Sequence, residues 1–309
     1  MDVVLHEMAR SGVVLTAEAA ARGCAPGDLR RAVQSGVLHR VRRGVYVGGP
    51  GWRGSDQAAR HLIRVRAAAA VLTDVVFSHR SAAAAWGLPL LGPWPEQVEV
   101  VAGPAGGGRS TPGIRRRAVP VPVVPTSRGG LRVTDLVRTA VDLACTESLA
   151  SAVVAADHAL RSRGLVLERA RQELDGRGAA RGVRRARRVL ELADPRAESV
   201  GESLSRVRMV EHGIPAPELQ HEFRDRLGVV GRVDFWWPGA RLVGEFDGRL
   251  KYRADDPEDG RPPEERVWAE KVREDRLRAL GVRVVRWTWS DAWLGEPLAD
   301  RLRAAGVAR

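Results

Sequence analysis

The sequence predicts a multidomain protein of mixed α/β and α class, with a small N-terminal domain, a mixed α/β middle domain and a C-terminal α/β domain. At 309 residues the chain is long enough for two or three domains. The Gly/Pro-rich run Gly48–Gly51 has the composition of a linker, and Asp194-Pro195 ends a helical stretch. From about residue 196 the pattern changes to helix, three strands, helix and strand. The predicted domains are therefore residues 1–50, 51–194 and 195–309.

Residues 1–50 have the pattern of a winged helix. A first helix is predicted over Val3–Ala9, and Thr16 is placed to cap a second helix that Gly23 ends. Pro26 occupies the favoured first position of a third helix. Apolar residues on both sides of Arg42-Arg43-Gly44 predict a β-hairpin with a basic tip. Such a layout is typical of DNA-binding domains, and a helical hairpin used for protein contact is the alternative.

This stretch resembles the N-terminal domain of AbiEi-type antitoxins and related transcriptional regulators, most closely in Arg42-Arg43-Gly44-Val45-Tyr46. The middle region resembles the part that follows in those proteins, at Ser78-His79-Arg80-Ser81 and Arg138–Leu143. The resemblance implies that DNA is a partner and that a cognate toxin is another. It also implies six DNA-binding residues, three in a groove and three near phosphates: Arg30, Arg31 and Gln34, and Arg40, Arg42 and Arg43.

The charge of the chain agrees with a polyanionic partner. The formal net charge is +12 at pH 7, and arginines that neutralise phosphates release condensed counterions. An arginine-rich proteome, in which many proteins are basic, is the alternative explanation. The sequence contains no apolar run of the roughly 20 residues that a membrane span needs and no signal-peptide layout at its start. Cys24 and Cys145 have no metal-binding spacing, which predicts free thiols in the cytoplasm.

The middle region predicts helices joined by a few strands. The helical segments are Asp56–Leu72, Ser78–Leu88, Asp135–Cys145, Leu149–Ser162 and Val166–Leu174, and the strands are Gln97–Ala102 and Ile114–Val119. We predict a structural, hydrogen-bonded role for His79. The five arginines between Arg181 and Arg188 predict a solvated helix face, with phosphate contact as the alternative.

Carboxylates cluster in the C-terminal region. Asp234 and Glu245 lie on predicted neighbouring strands joined by a short turn, so they can share one cation. Asp247 lies two residues beyond Glu245 and therefore on the same face of its strand. Mg²⁺ or Mn²⁺ accepts such oxygen ligands, and Glu202, on the preceding helix, is a further candidate. The sequence thus predicts a metal site at Asp234, Glu245 and Asp247.

Only two of the 50 basic residues are lysines, and both lie near these acids. A lysine ammonium can orient a water or offset charge at a phosphate as a point charge, which an arginine does differently. Lys251 is the first candidate for this role and Lys271 the second, with Arg273 as a phosphate contact. For Trp236, Trp237, Trp287 and Trp289 we predict core packing, with base stacking as the alternative for an exposed one.

Residues 196–293 resemble the small nuclease-like domain related to very-short-patch-repair endonucleases, a restriction-endonuclease-like α/β fold. The matching pieces include Pro217–Gln220, Val233-Asp234-Phe235, Gly244–Gly248, Glu270–Asp275 and Val284–Trp289. The resemblance implies Mg²⁺-dependent hydrolysis of DNA phosphodiester bonds. That family usually has lysine two residues after the glutamate, where this chain has Asp247. A non-catalytic regulator or antitoxin-like factor with an inactive nuclease fold is the alternative function.

Overall fold

The computed structural model describes residues 2–102, 110–119, 122–248 and 263–307. By packing, the chain forms two compact units, Met1–Thr146 with Val166–Arg187 and Glu147–Leu165 with Arg188–Arg309. The three functional domains stay a prediction. None of the described helices combines the length and the apolar character that crossing a membrane requires.

The first unit begins with three helices and a small sheet. The elements are α1 (Asp2–Ser11), β1 (Val14–Leu15), α2 (Thr16–Ala21), α3 (Pro26–Gln34), β2 (Leu38–Arg42) and β3 (Val45–Gly48). The strands form an antiparallel sheet in the order β1-β3-β2. Leu5, Val14, Ala19, Leu29 and Leu38 form its core, because each element contributes an apolar residue to one common side.

Two local predictions for this region were wrong. Thr16 is the first residue of α2 rather than its cap, and its hydroxyl donates to the carbonyl of Gly44 (3.3 Å). The predicted linker forms helix α4 (Gly49–Gly54). A Cβ on Gly49 would lie 2.1 Å from the carbonyl oxygen of Gly36, so glycine is needed here for close packing rather than for a flexible connection.

The remaining elements up to residue 192 mix helices with two pairs of strands. They are α5 (Gln57–Ala69), α6 (His79–Trp86), β4 (Val98–Val101), β5 (Ile114–Arg117), β6 (Pro125–Arg128), β7 (Leu131–Thr134), α7 (Leu136–Thr146), α8 (Leu149–Ser162), α9 (Leu167–Asp175) and α10 (Val183–Leu192). β4 and β5 pair in parallel, whereas β6 and β7 form a hairpin that the sequence did not predict. Phe77 bridges to Val100 and Val133 and joins the two pairs in one core.

The two family-like pieces of the middle region meet in a buried ionic network. Asp142 accepts from Arg138 (3.1 Å) and Arg177 (2.8 Å) and lies 3.9 Å from Nδ1 of His79. Burial lowers the pKa of His79 despite the nearby Asp142 carboxylate. His79 Nδ1 also lies 3.0 Å from the hydroxyl of Ser78. These contacts join α6, α7 and α9 and agree with the structural role predicted for His79.

The second unit carries a four-stranded sheet. After α8 its elements are α11 (Val200–Glu211), β8 (Glu218–Asp225), β9 (Gly228–Trp237), β10 (Leu242–Asp247), α12 (Pro263–Ala279), β11 (Arg283–Thr288), α13 (Trp289–Leu294) and α14 (Glu296–Ala304). The strand order is β11-β10-β9-β8, in which only the β10–β11 pair is parallel. The predicted helix and strand pattern from 196 to 287 is thus confirmed, and α13 and α14 follow it.

Of the four tryptophans predicted to pack in the core of this unit, three do so. Trp236, Trp237 and Trp287 are buried, whereas Trp289 is 43% exposed. The indole N–H of Trp287 donates to Ser205 on α11 (2.8 Å). The glycine at Gly244 makes room for this ring, since a Cβ there would lie 2.6 Å from it. Trp287 therefore connects the sheet to α11, and Phe246 of β10 packs against Gly201 of the same helix.

Candidate functional site

Helix α3 presents a polar face that is exposed as the sequence predicted. Its apolar residues Leu29 and Ala32 are buried, whereas Arg30, Arg31 and Gln34 are exposed. The helix begins at Pro26, and the carboxylate of Asp28 accepts from the backbone N–H of Ala25 (2.7 Å). The same carboxylate pairs with Arg31. Arg30 and Gln34, one helical turn apart on the same face, are therefore the residues of α3 best placed to contact a ligand.

The hairpin of β2 and β3 carries the second group of predicted DNA-binding residues. Arg40 and Arg43 are exposed and Arg42 is half-buried. Gly44 makes the turn with a φ of 76°, a conformation that glycine adopts without strain. The carbonyl of Gly44 accepts from the backbone N–H of Thr16 (3.0 Å). The basic tip is consequently fixed to the start of α2 and does not swing freely.

In the second unit, residues from all four strands of the sheet stand in one row. The register continues by one residue from the pair Gly244–Phe235 and places Glu245 beside Asp234. In the same way it places Gln220 of β8 beside Asp234, and Arg286 of β11 pairs directly with Glu245. The row Gln220, Asp234, Glu245 and Arg286 thus crosses the sheet. The predicted proximity of Asp234 and Glu245 follows from this register.

Three members of this row, all except Gln220, border an acidic cleft, which we define by Asp234, Glu245, Asp247 and Glu270 together with Arg232, Arg273 and Arg286. Its volume is about 700 Å³. The three carboxylates that the sequence predicted as metal ligands therefore all line this cleft. One oxygen of Asp234 accepts from the backbone N–H of Phe246 (2.9 Å), so this carboxylate also ties β9 to β10.

Two arginines hold the Glu245 carboxylate. Arg273 of α12 pairs with one oxygen and Arg286 donates to the other (3.0 Å). Both guanidinium groups also pair with Glu270 (3.0 and 2.7 Å). Burial alone would lower the pKa values of both arginines, but Glu270 and Glu245 raise the pKa of Arg273, and Glu274 and Glu245 raise the pKa of Arg286. The repulsion expected between neighbouring acids is thus relieved here by arginine.

Glu202 is not a member of this row, but its carboxylate contacts Gln220, which is. It is buried on α11 and accepts from the side-chain amide of Gln220 (2.9 Å) and from the backbone N–H of Glu198 (2.9 Å). It does not line the acidic cleft. Gln220 itself has a φ of 56°, which is uncommon for a residue with a Cβ and is found most often at functional or turn positions.

Of the two lysines predicted to act at this site, the structure describes one. Lys251 lies outside the described residues. Lys271 is exposed on α12 with its ammonium 5.8 Å from the ring centre of Trp268, and it does not line the acidic cleft. Among the described residues, no three His, Cys, Asp or Glu side chains stand close enough to hold a metal ion together. The roles assigned to the acids and lysines stay predictions.

Sequence reasoning missed the importance of Gln220 and Arg286. Gln220 was part of a matching segment, but its partner Glu202 lies 18 residues away. Arg286 is a charged residue between the apolar neighbours Val285 and Trp287, which is a local signal that could have singled it out. Arg273 was predicted to contact phosphate, whereas in the structure it neutralises Glu245 and Glu270.

Comparisons with known proteins give relatives for parts of the chain. It is 37% identical over 150 residues to two proteins named as uncharacterized, MT2308 and Rv2248, from two strains of Mycobacterium tuberculosis. The matches cover 48% of this chain and 51% of each relative, so the chain spans about half the length of the curated relatives it matches. The crystal structure of the RV2827C protein from Mycobacterium tuberculosis matches with a TM-score of 0.41 and 16% identity, over 72% of this chain and 87% of that one.

A family match covers the N-terminal domain. It ends at the last residue but one of β3, so it includes α3 and the basic hairpin and leaves the acidic cleft outside. The resemblance of the C-terminal part to nucleases therefore stays a prediction. Residues 2–47 match the family described as "Transcriptional regulator, AbiEi antitoxin".

Proposed function

We propose that the chain is a DNA-binding transcriptional regulator whose N-terminal domain acts as a winged helix. One observation carries the proposal: the segment that matches the regulator family exposes polar residues on α3 and arginines on an adjoining hairpin. In this arrangement α3 enters the major groove and the hairpin follows the backbone. Arg30 and Gln34 would contact base edges, and Arg40 and Arg43 would contact phosphates.

The description of the matching family also points to a second binding partner. We infer from the antitoxin part of the family description that a toxin protein binds this chain. Copurification of the chain with the product of the neighbouring gene tests this inference.

The regulator function is tested by selecting binding sites from a random duplex library. A site-specific regulator should enrich one motif and bind it about a thousandfold more tightly than a scrambled duplex at physiological salt. Binding that is equally tight to every duplex would contradict a regulator and leave only a basic protein with affinity for phosphates.

Gln34→Ala is expected to weaken binding to the selected duplex by about tenfold, because one bidentate base contact contributes on the order of 1–3 kcal/mol. Binding to a scrambled duplex should stay within about twofold, since the change removes no charge. Fluorescence anisotropy of labelled duplexes measures both affinities. Gln172→Ala is the matched control, because Gln172 is an exposed helical glutamine on α9. An equal loss on both duplexes would argue against base reading by Gln34.

A second candidate function is metal-dependent hydrolysis of DNA in the acidic cleft, as the resemblance to nucleases implies. It is favoured by the convergence of Asp234, Glu245 and Asp247 on one cleft. Their oxygens are of the kind that Mg²⁺ or Mn²⁺ binds, and such an ion would supply a Lewis acid for a phosphate. The arrangement described does not fit a divalent ion as it stands, because both oxygens of Glu245 are paired with arginines.

We expect wild-type protein to nick supercoiled plasmid in Mg²⁺ or Mn²⁺ no faster than Glu245→Ala, since Arg273 and Arg286 already neutralise that carboxylate. Gel electrophoresis over several hours measures nicking. Glu222→Ala, which changes an exposed glutamate of β8 outside the cleft, controls for contaminating nuclease. Nicking by wild type and Glu222→Ala that Glu245→Ala abolishes would establish the second candidate instead.

A further inference from the structure

A cavity of about 660 Å³ lies beside the end of α3 in the first unit. Its walls come from α1, from the turn between α3 and β2, from the end of β3, and from α4 and α5. Much of the lining is apolar, with Ala9, Val13, Val37, Val47 and Ile63 among its residues. The volume falls within the range of sites that bind small molecules.

The charged groups of this cavity are all of one sign. Arg10, Arg53 and Arg66 line it, and none of the described lining residues is Asp or Glu. Arg53 donates to the carbonyl of Gly36 (3.1 Å). Within the described part of the chain, neither Arg10 nor Arg66 has an acidic partner. A concave site with cations and no counter-charge attracts anions.

Contacts within the chain hold the walls of the cavity in place. The backbone N–H of Gly49 donates to the carbonyl of Val37 (2.8 Å), which fixes α4 against the turn after α3. The ring of Trp52 stacks on His39 with 4.2 Å between ring centres, and the guanidinium of Arg64 lies 5.0 Å from the indole centre. Partial burial and the nearby Arg64 lower the pKa of His39, so this ring stacks as the neutral form. A preformed site of this kind loses little free energy to ordering when it binds.

We propose that this cavity binds a small organic anion, with its apolar body against the aliphatic wall and its carboxylate, sulfonate or phosphate group between Arg10 and Arg66. The ligand would contact Ser35 and Gly36, which directly follow α3. The site is thus built into the same domain as the exposed face of α3, and binding of the anion does not depend on whether that face reads DNA.

The test is a fluorescence titration of the full chain with anilinonaphthalene sulfonate, an apolar anion, and in parallel with phenylnaphthylamine, which has the same body without the charge. Arg10→Gln/Arg66→Gln should weaken binding of the sulfonate by about a hundredfold, because two charge-assisted contacts are lost. Binding of the neutral amine should change by less than about twofold. Arg22→Gln, which changes an exposed arginine of the same domain outside the cavity, should leave both unchanged.

Equal affinity of wild type and Arg10→Gln/Arg66→Gln for the sulfonate would overturn the proposal, since the dye would then bind elsewhere. Equal losses for the sulfonate and the neutral amine would also overturn it, because the cations would have no part in recognition. Both arginines are exposed, so the variant should keep the thermal midpoint of wild type. Arg66→Gln alone, with an expected loss of about tenfold, tests the same point if the double variant unfolds.

Discussion

Arg40→Gln/Arg43→Gln is expected to weaken binding to duplex DNA by about a hundredfold, because each arginine contributes a charge-assisted contact to a phosphate. Both side chains are exposed on the hairpin, so their loss should not disturb the fold. The slope of log affinity against log salt concentration should fall by about two, one for each phosphate contact removed. Fluorescence anisotropy over a range of salt concentrations measures both quantities.

The matched control is Arg22→Gln/Arg169→Gln, which removes the same net charge. Both positions are exposed, Arg22 at the end of α2 and Arg169 on α9. If the protein bound DNA only through its net charge of +12, both double variants would weaken binding alike. A loss confined to the hairpin variant would place the phosphate contacts at the tip. Equal losses, with equal changes of slope, would contradict the winged-helix mode of binding.

The elements of the N-terminal domain could be predicted because their signals are local. Pro26 begins α3, and Gly23 and Gly44 adopt positive φ values where the chain turns. The cap at Thr16 and the linker at Gly48–Gly51 were wrong for one common reason. The hydroxyl of Thr16 is used by Gly44, 28 residues away, and α4 exists because Gly49 packs against the carbonyl of Gly36. Such distant contacts override local preference.

The chemistry of the acidic cleft also depends on contacts between residues that lie far apart in the sequence. Spacing placed Asp234, Glu245 and Asp247 on two neighbouring strands, and the structure places all three in one cleft. The spacing of residues in the sequence does not predict the register of β10 against β11. That register places Arg286 beside Glu245, although the two are 41 residues apart in the sequence. When the register is not known, the cluster of carboxylates predicts that a cation from solution neutralises their charge. With it, β11 and α12 supply the positive charge themselves, through Arg286 and Arg273.

Trp287→Ala is expected to have the largest effect on stability in the second unit. The side chain is 1% exposed, lies 5.1 Å from the ring of Phe235 and donates to Ser205. Its removal leaves a cavity opposite Gly244, which has no side chain to fill it, and leaves the Ser205 hydroxyl without this donor. Loss of a buried tryptophan costs about 3–5 kcal/mol of unfolding free energy. Urea unfolding followed by far-UV circular dichroism measures this change as a lower midpoint.

Trp289→Ala is the control, because this tryptophan is two residues away and exposed. It stacks on Trp293 and meets the edge of Phe246, contacts that leave much of the ring in solvent and should contribute less than about 1 kcal/mol. If Trp289→Ala lowered the unfolding midpoint as much as Trp287→Ala, the packing of α11 on the sheet would not depend on Trp287. A large difference between them would instead show that the row of polar residues, Gln220 to Arg286, rests on a sheet held from behind by this one ring.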